Sequence, residues 1–296
     1  MKRILMLTLC AALLPMLCGS QVSAALIISD DYEVDSSGNY SVVNDGTPNG
    51  TVNFVYDYIA AGIPLAPNST AGDTLGLRMT ANDSAGAVDA FTAFHNTDIN
   101  SNIFSLKVDV FMRFVGTTAT TEYAHVGVGG NGTTFNQVFS PISGSGSFIA
   151  FTGDGGSASD YRWYLSAANG GPTTVPNTDA SYLGHGSNGT GAFYTALFPA
   201  PPSTIAGSPG NIWATVEVKV KNGSISYFMQ NQLVFKGTYT GNLYGLASLG
   251  IVDTFTSVDG GSVATIYDNL EVIVPEPASL SLLGLSLIGL LAGRRR

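Results

Sequence analysis

The chain has 296 residues, 45% of them apolar but only 11% charged, and a formal net charge of −9. That length allows one large β domain or two ordinary ones, and the apolar share allows a sizeable core. Between residues 25 and 274 there are seven basic residues against 20 acidic ones, a balance of about −13, which excludes nucleic acid and anionic lipid as electrostatic partners.

The chain opens as an export signal. Met1-Lys2-Arg3 is a basic start, residues 4–18 are apolar apart from Thr8 and Pro15, and Val22-Ser23-Ala24 supplies small residues. This is the pattern of a secretory signal peptide over 1–24, cleaved between Ala24 and Ala25. A lipoprotein signal is excluded because Leu17 stands where a small residue would have to precede Cys18. Both cysteines, Cys10 and Cys18, lie inside the signal. The exported chain therefore has no disulfide framework and no thiol nucleophile.

Period-two alternation runs through the body. Val52, Phe54, Tyr56 and Tyr58 alternate with Asn53 and Asp57, and Leu75, Leu77 and Met79 alternate with Arg78 and Thr80. Leu106, Val108, Val110, Met112 and Phe114 oppose Lys107, Asp109 and Arg113. From Ile212 to Lys221 the even positions are apolar and the odd ones from Thr215 are polar. Each pattern predicts a strand with one apolar face. Asn222-Gly223 tolerates the positive φ of a type I′ turn and predicts a hairpin into 224–229. Ile266 to Val274 is apolar on both faces, so that strand is expected to be central or covered. Turn-rich stretches separate the strands, the longest over 181–210. Short strands at intervals of about ten residues predict an all-β antiparallel sandwich or barrel in a single domain over 25–273.

Enzymatic motifs are sparse. His95, His125 and His185 are widely separated, and no Gly-x-Ser-x-Gly or phosphate-loop motif occurs. Glycoside hydrolysis needs two carboxylates across a sugar bond, and the five glutamates do not form a Glu-x-Asp-x-x-Glu strand pattern. Asp109, Glu217 and Glu271 read as outward-facing strand charges. The acidic positions with calcium-like spacing are Asp30 and Asp31, Asp154 and Asp160 around a Gly/Ser loop, and Asp253 and Asp259 around another. Oxygen-rich loops suit a structural Ca²⁺, while turn-forming and capping aspartates are the ordinary alternative. No other cofactor is expected. Trp163 and Trp213 are the candidates for stacking on carbohydrate, with burial in the core as the alternative.

The chain ends in Val-Pro-Glu-Pro, an apolar run over 278–293 and Arg294, Arg295 and Arg296. This tail, 274–296, with Pro275, Glu276 and Pro277 as its motif, resembles the PEP-CTERM sorting signal of Gram-negative, exopolysaccharide-producing bacteria. The resemblance implies Sec export, removal of the leader by signal peptidase, transient retention in the inner membrane, and recognition by an exosortase that passes the body to the cell surface or matrix. The apolar run fits a temporary hold. As a helix its 16 residues would reach about 24 Å, against roughly 30 Å of hydrocarbon, and the terminal arginines would remain cytoplasmic. A simple tail anchor is the alternative.

Stretches around 54–67, 153–162, 208–213 and 268–272 resemble exported PEP-CTERM proteins with a laminin-G-like, concanavalin-A-like jelly-roll body. That resemblance implies two curved antiparallel sheets and, in relatives, carbohydrate or calcium on the concave face or rim loops. It implies a non-enzymatic protein contacting extracellular polysaccharide. A sandwich glycosidase and a purely structural matrix protein are the alternative functions.

Overall fold

Fifteen strands form two antiparallel sheets in a computed structural model that describes residues 24–275, apart from 116–120, 140, 156–157, 168–169 and 256. The signal peptide and the apolar tail segment lie outside the described residues. The first sheet runs β13 (Gln232–Thr238), β12 (Ser224–Met229), β11 (Trp213–Lys221), β6 (Ile103–Arg113), β15 (Ala264–Pro275), β4 (Leu75–Met79), β3 (Val52–Asp57), with β1 (Ala24–Asp30) also paired to β15. The second runs β10 (Gly170–Thr174), β9 (Tyr161–Ala167), β8 (Ser147–Phe151), β7 (Glu122–Gly130), β14 (Leu246–Asp253), β5 (Asp89–His95), β2 (Tyr40–Asn44). Neighbours distant in sequence, such as β6 with β15 and β5 with β14, give the chain its repeated crossing between sheets. Residues Leu26–Ile273 form one compact unit.

The alternating segments fold as their periodicity demands. Val108, Val110, Val216, Val218, Leu270 and Val272 are buried between the sheets. Asn222 and Gly223 take φ of 47° and 86°, the two positive values of a type I′ turn. Tyr267 crosses the sandwich: its hydroxyl donates to the Gly250 carbonyl at 2.5 Å and accepts from the His125 N–H at 3.2 Å. Tyr267→Phe is therefore expected to cost about 1–2 kcal/mol, read as a lower denaturant midpoint. An unchanged midpoint would mean the hydroxyl ties nothing.

One bulge redirects the last strand. Asp268 faces Asp109, yet Glu271 rather than residue 270 faces Lys107. The extra residue is Asn269, at φ 55°, which resets the alternation. Ile266 and Asp268 thus lie on the outer face, while Leu270 and Val272 turn inward.

Both sheets also carry covers on their outer faces. Over the first sheet, Tyr58, Ile63 and Ala66 pack on Phe111, Trp213 and Ile266. Over the second, Val138, Phe135 and Phe139 pack on Ala90, Tyr123, Phe148, Tyr164 and Val252. The backbone of Asn136 donates to Thr92 Oγ1 at 2.8 Å, and its side chain reaches Ser248 Oγ at 3.2 Å. His125 lies beneath this cover, fully buried against Thr92. Burial holds its imidazole neutral, with a pKa lowered to about 3. Gly250 is the neighbour that makes room: a Cβ there would collide with the His125 ring and the Phe91 carbonyl.

Candidate functional site

The carboxylates expected as outward charges or calcium ligands are mostly buried hydrogen-bond acceptors. Asp109 is fully buried and accepts from Asn68 N (3.0 Å), Asn68 Nδ2 (2.8 Å), Thr215 Oγ1 (2.7 Å) and Asn269 Nδ2 (3.2 Å). This corrects its reading as a solvated strand charge: the segment around 58–70 lies over it. Beside it, Asp268 accepts from Tyr58 Oη, Ser69 Oγ and Asn269 N. Burial, reinforced by the charge of Asp109, raises the Asp268 pKa to about 7 despite those donors. Glu217 and Glu271 do face solvent, the latter 3.4 Å from Lys107.

The calcium candidates do not converge. Asp30 accepts from Tyr32 N and Tyr40 Oη, while exposed Asp31 accepts from Glu33 N. Asp160 accepts from Gly189 N at 2.8 Å, tying the 187–191 loop to β9, and Asp154 is buried. Asp253 accepts from Asn82, Thr121, Phe255 and Ser257. Asp259 caps its own turn through Gly261, Ser262 and Val263. Among the described residues no group of three or more His, Cys, Asp or Glu is arranged to hold a metal ion. Sequence spacing missed the row Asp89–Asp253–Glu122, which pairs laterally across β5, β14 and β7 and is buried throughout. Burial raises the Asp89 pKa.

Neither tryptophan offers a ring to solvent. Trp163 is 0% exposed and stacks on Phe235 with centroids 4.8 Å apart. Trp213 is 6% exposed, with Nε1 donating to the Pro64 carbonyl at 2.6 Å. Protein atoms take the place a sugar face would need, so the core alternative describes both.

Polar groups open to solvent gather around two hollows at the β9–β10 rim. A pocket of about 220 Å³ is walled by Arg162, Ser159, Thr174, Asn177, Ser187 and Pro176 among others. Across the ridge Thr174-Val175-Pro176 lies a second hollow of about 420 Å³, lined by Asp179, Ser181 and Tyr239. Strand alternation places Arg162 on the outer face, between inward Tyr161 and Trp163. Its guanidinium lies 4.0 Å over the Phe139 ring and donates through Nη2 to Ser159 Oγ at 2.6 Å. Phe139 reaches this position with φ 61°, a conformation that costs a non-glycine residue roughly 1–3 kcal/mol. Its ring also meets Tyr123 and the half-exposed Phe255. The sequence marked Asp160-Tyr161-Arg162-Trp163-Tyr164 for its tryptophan. The signal for Arg162 was its position one residue out of phase with the core aromatics.

The chain is thus an antiparallel β-sandwich with polar hollows along one edge. The chain carries a PEP-CTERM protein-sorting motif at residues 274–296. Among solved structures it is similar to a Bacillus subtilis protein of unknown function with a galectin-like fold (9% identity, 85% of this chain and 98% of that one, TM-score 0.46). It is also similar to the Emp47p carbohydrate recognition domain (8%, 87% and 99%, TM-score 0.45). A third similarity is to the botulinum neurotoxin serotype D ligand-binding domain in complex with N-acetylneuraminic acid (13%, TM-score 0.42). That match covers 85% of this chain, which spans about half of the neurotoxin domain, 48%. None of the curated proteins compared matches the chain.

Proposed function

We propose that the protein is exported, sorted to the cell surface or matrix through its C-terminal motif, and works there as a non-catalytic sandwich that contacts extracellular polysaccharide. The observation that carries this reading is the sorting motif placed directly behind the last strand. β15 runs to Pro275, the first residue of Pro275-Glu276-Pro277. At the other end β1 begins at Ala24, so cleavage before Ala25 would leave the new terminus on the first strand. Among the described residues no helix is long and apolar enough to cross a membrane. Any anchoring would fall to 278–293, outside those residues.

The non-catalytic part is supported by how the carboxylates are held. Glycosidic cleavage needs two of them flanking a bond in an open cleft. Asp109 with Asp268, and Asp89 with Asp253 and Glu122, are instead buried. Contact with polysaccharide is supported by the hydroxyl- and amide-lined rim pockets.

Replacing residues 275–277 by alanine is expected to leave full-length chain in the inner-membrane fraction, with none reaching the surface or medium. Release at the wild-type level would overturn the sorting reading. Retention of the wild-type chain on extracellular polysaccharide is expected. Its absence with every polymer would leave a purely structural matrix protein, and release of reducing ends would make the chain a glycosidase.

A further inference from the structure

We propose that the Arg162 pocket is a subsite for an acidic sugar, a uronate residue whose carboxylate is taken by the guanidinium; this rests on the polysaccharide reading above. Arg162 is one of seven basic residues in an exported body of about −13. The ion pairs of the described residues join Lys107 to Glu271 and Lys219 to Glu217, and none includes Arg162. A half-buried cation with no carboxylate of the described residues within ion-pair distance, inside a strongly acidic protein, is a place where an external anion can be held without breaking an internal ion pair.

The guanidinium is also fixed before any ligand arrives. The Phe139 ring lies against one of its faces and Ser159 holds Nη2. Its Nε is buried with no hydrogen-bond partner among the described residues. A planar fork held in this way pairs with a carboxylate with little further loss of side-chain freedom. The strained Phe139 backbone supplies the ring that orients it.

The rest of the pocket suits a sugar ring. Thr174 and Asn177 bring a hydroxyl and an amide. Ser187 donates its own proton to the Ala158 carbonyl at 2.5 Å, so its oxygen is left to accept from a ligand hydroxyl. Pro176 adds an apolar wall. At about 220 Å³ the pocket is small for a ligand site and fits a single unit of a chain. The neighbouring hollow carries the Asp179 carboxylate, which opposes a second anion. The two hollows therefore select an acidic unit followed by a neutral one, so a uniformly charged polymer is a poorer match than a mixed one.

The test is calorimetric titration of the full-length chain with three oligosaccharides: a mixed uronate–neutral oligomer, its methyl ester, and a neutral oligomer of the same length. Arg162→Gln, Arg162→Lys and Asn177→Ala are compared, with thermal unfolding to verify that each is folded. Asn177 is exposed and lies outside the Phe139 stack, so its truncation reports on the pocket even if an Arg162 variant is unstable. The uronate oligomer is expected to bind. Arg162→Gln and the methyl ester should each weaken binding about tenfold or more, Arg162→Lys less, and Asn177→Ala a few-fold. Undiminished binding by folded Arg162→Gln, by Asn177→Ala, or of the methyl ester would overturn the subsite. If the neutral oligomer binds and the uronate does not, the subsite falls while the polysaccharide reading stands. If no polysaccharide of any class binds, both fall.

Discussion

Asp109→Ala is expected to destabilise the protein by about 3 kcal/mol or more and to release the cover over the first sheet. The carboxylate is fully buried and gathers four donors, two from Asn68 in the cover and one each from Thr215 and Asn269. Hydrogen bonds to a charged group contribute about 1.5–3 kcal/mol each, and removing the acceptor leaves its donors without a partner. The contributions are not additive, because relaxation and water recover part of the loss. A loss of that size lowers Tm by roughly 6–12 °C in a domain of this length. The same variant should shift tryptophan emission to the red. Trp213 is kept from water by Tyr58, Ile63 and the bond to Pro64, all of them in the cover, whereas Trp163 is packed between the sheets. Asp109→Asn keeps the shape but turns one acceptor into a donor, so it should fall between wild type and alanine. A Tm and an emission spectrum unchanged in Asp109→Ala would remove the carboxylate from its role as the anchor of the cover.

Stability is expected to fall as pH rises through neutrality, with Asp268 as a main source. Burial is the largest cause of its raised pKa, and Asp109 adds to it. The folded-state value of about 7 exceeds the ordinary 3.8. The folded protein therefore holds a proton that the unfolded chain releases between these values. The associated stability is full below pH about 4, declines as pH climbs through 7, and is gone above it. At about 1.36 kcal/mol per unit the ceiling is on the order of 4 kcal/mol. Asp89 and Asp259 are raised as well and add slope of the same sign. Asp268→Asn mimics the protonated form and should flatten much of the dependence. Denaturant unfolding at pH 5 and pH 8.5 measures the difference. The same pH difference in wild type and Asp268→Asn would assign the slope to other groups.

The elements that sequence made legible are those with one dry face and one wet one. β3, β4, β6, β11, β12 and the Asn222-Gly223 turn follow from alternation and turn chemistry, because a face that meets water along even part of its length carries polar residues at every second position there. β5, β7, β8 and β14 escaped. Their residues are buried almost without interruption, and a strand covered on both faces has no period to show. The same reason explains Asp109. A charge on the outward phase of a strand looks solvated unless something distant in sequence lies over it, and Asn68 is 41 residues away. Asn269 likewise gave no sign that it would break the phase of β15. At the rim, alternation placed Arg162 outward, but only the approach of Phe139 and of residues 174–177 made a pocket of that position. Sorting was the most legible feature, since Pro275-Glu276-Pro277 and its flanks are read as linear sequence.

The covers also settle how a protein with so few charges can show so much sheet. A bare two-sheet sandwich would present two broad pleated faces, and each needs ionic side chains at alternate positions to stay dispersed. Here the middle of the second sheet and half of the first are interior, so the requirement shrinks to what is left. The remaining open strip of the first sheet carries Lys107, Lys219 and Lys221, three of the seven basic residues of the exported body, together with Glu217 and Glu271. Basic residues are thus concentrated where bare sheet meets water, while exposed acids such as Asp31, Asp35, Asp98 and Asp179, with amides and hydroxyls, keep the loops wet.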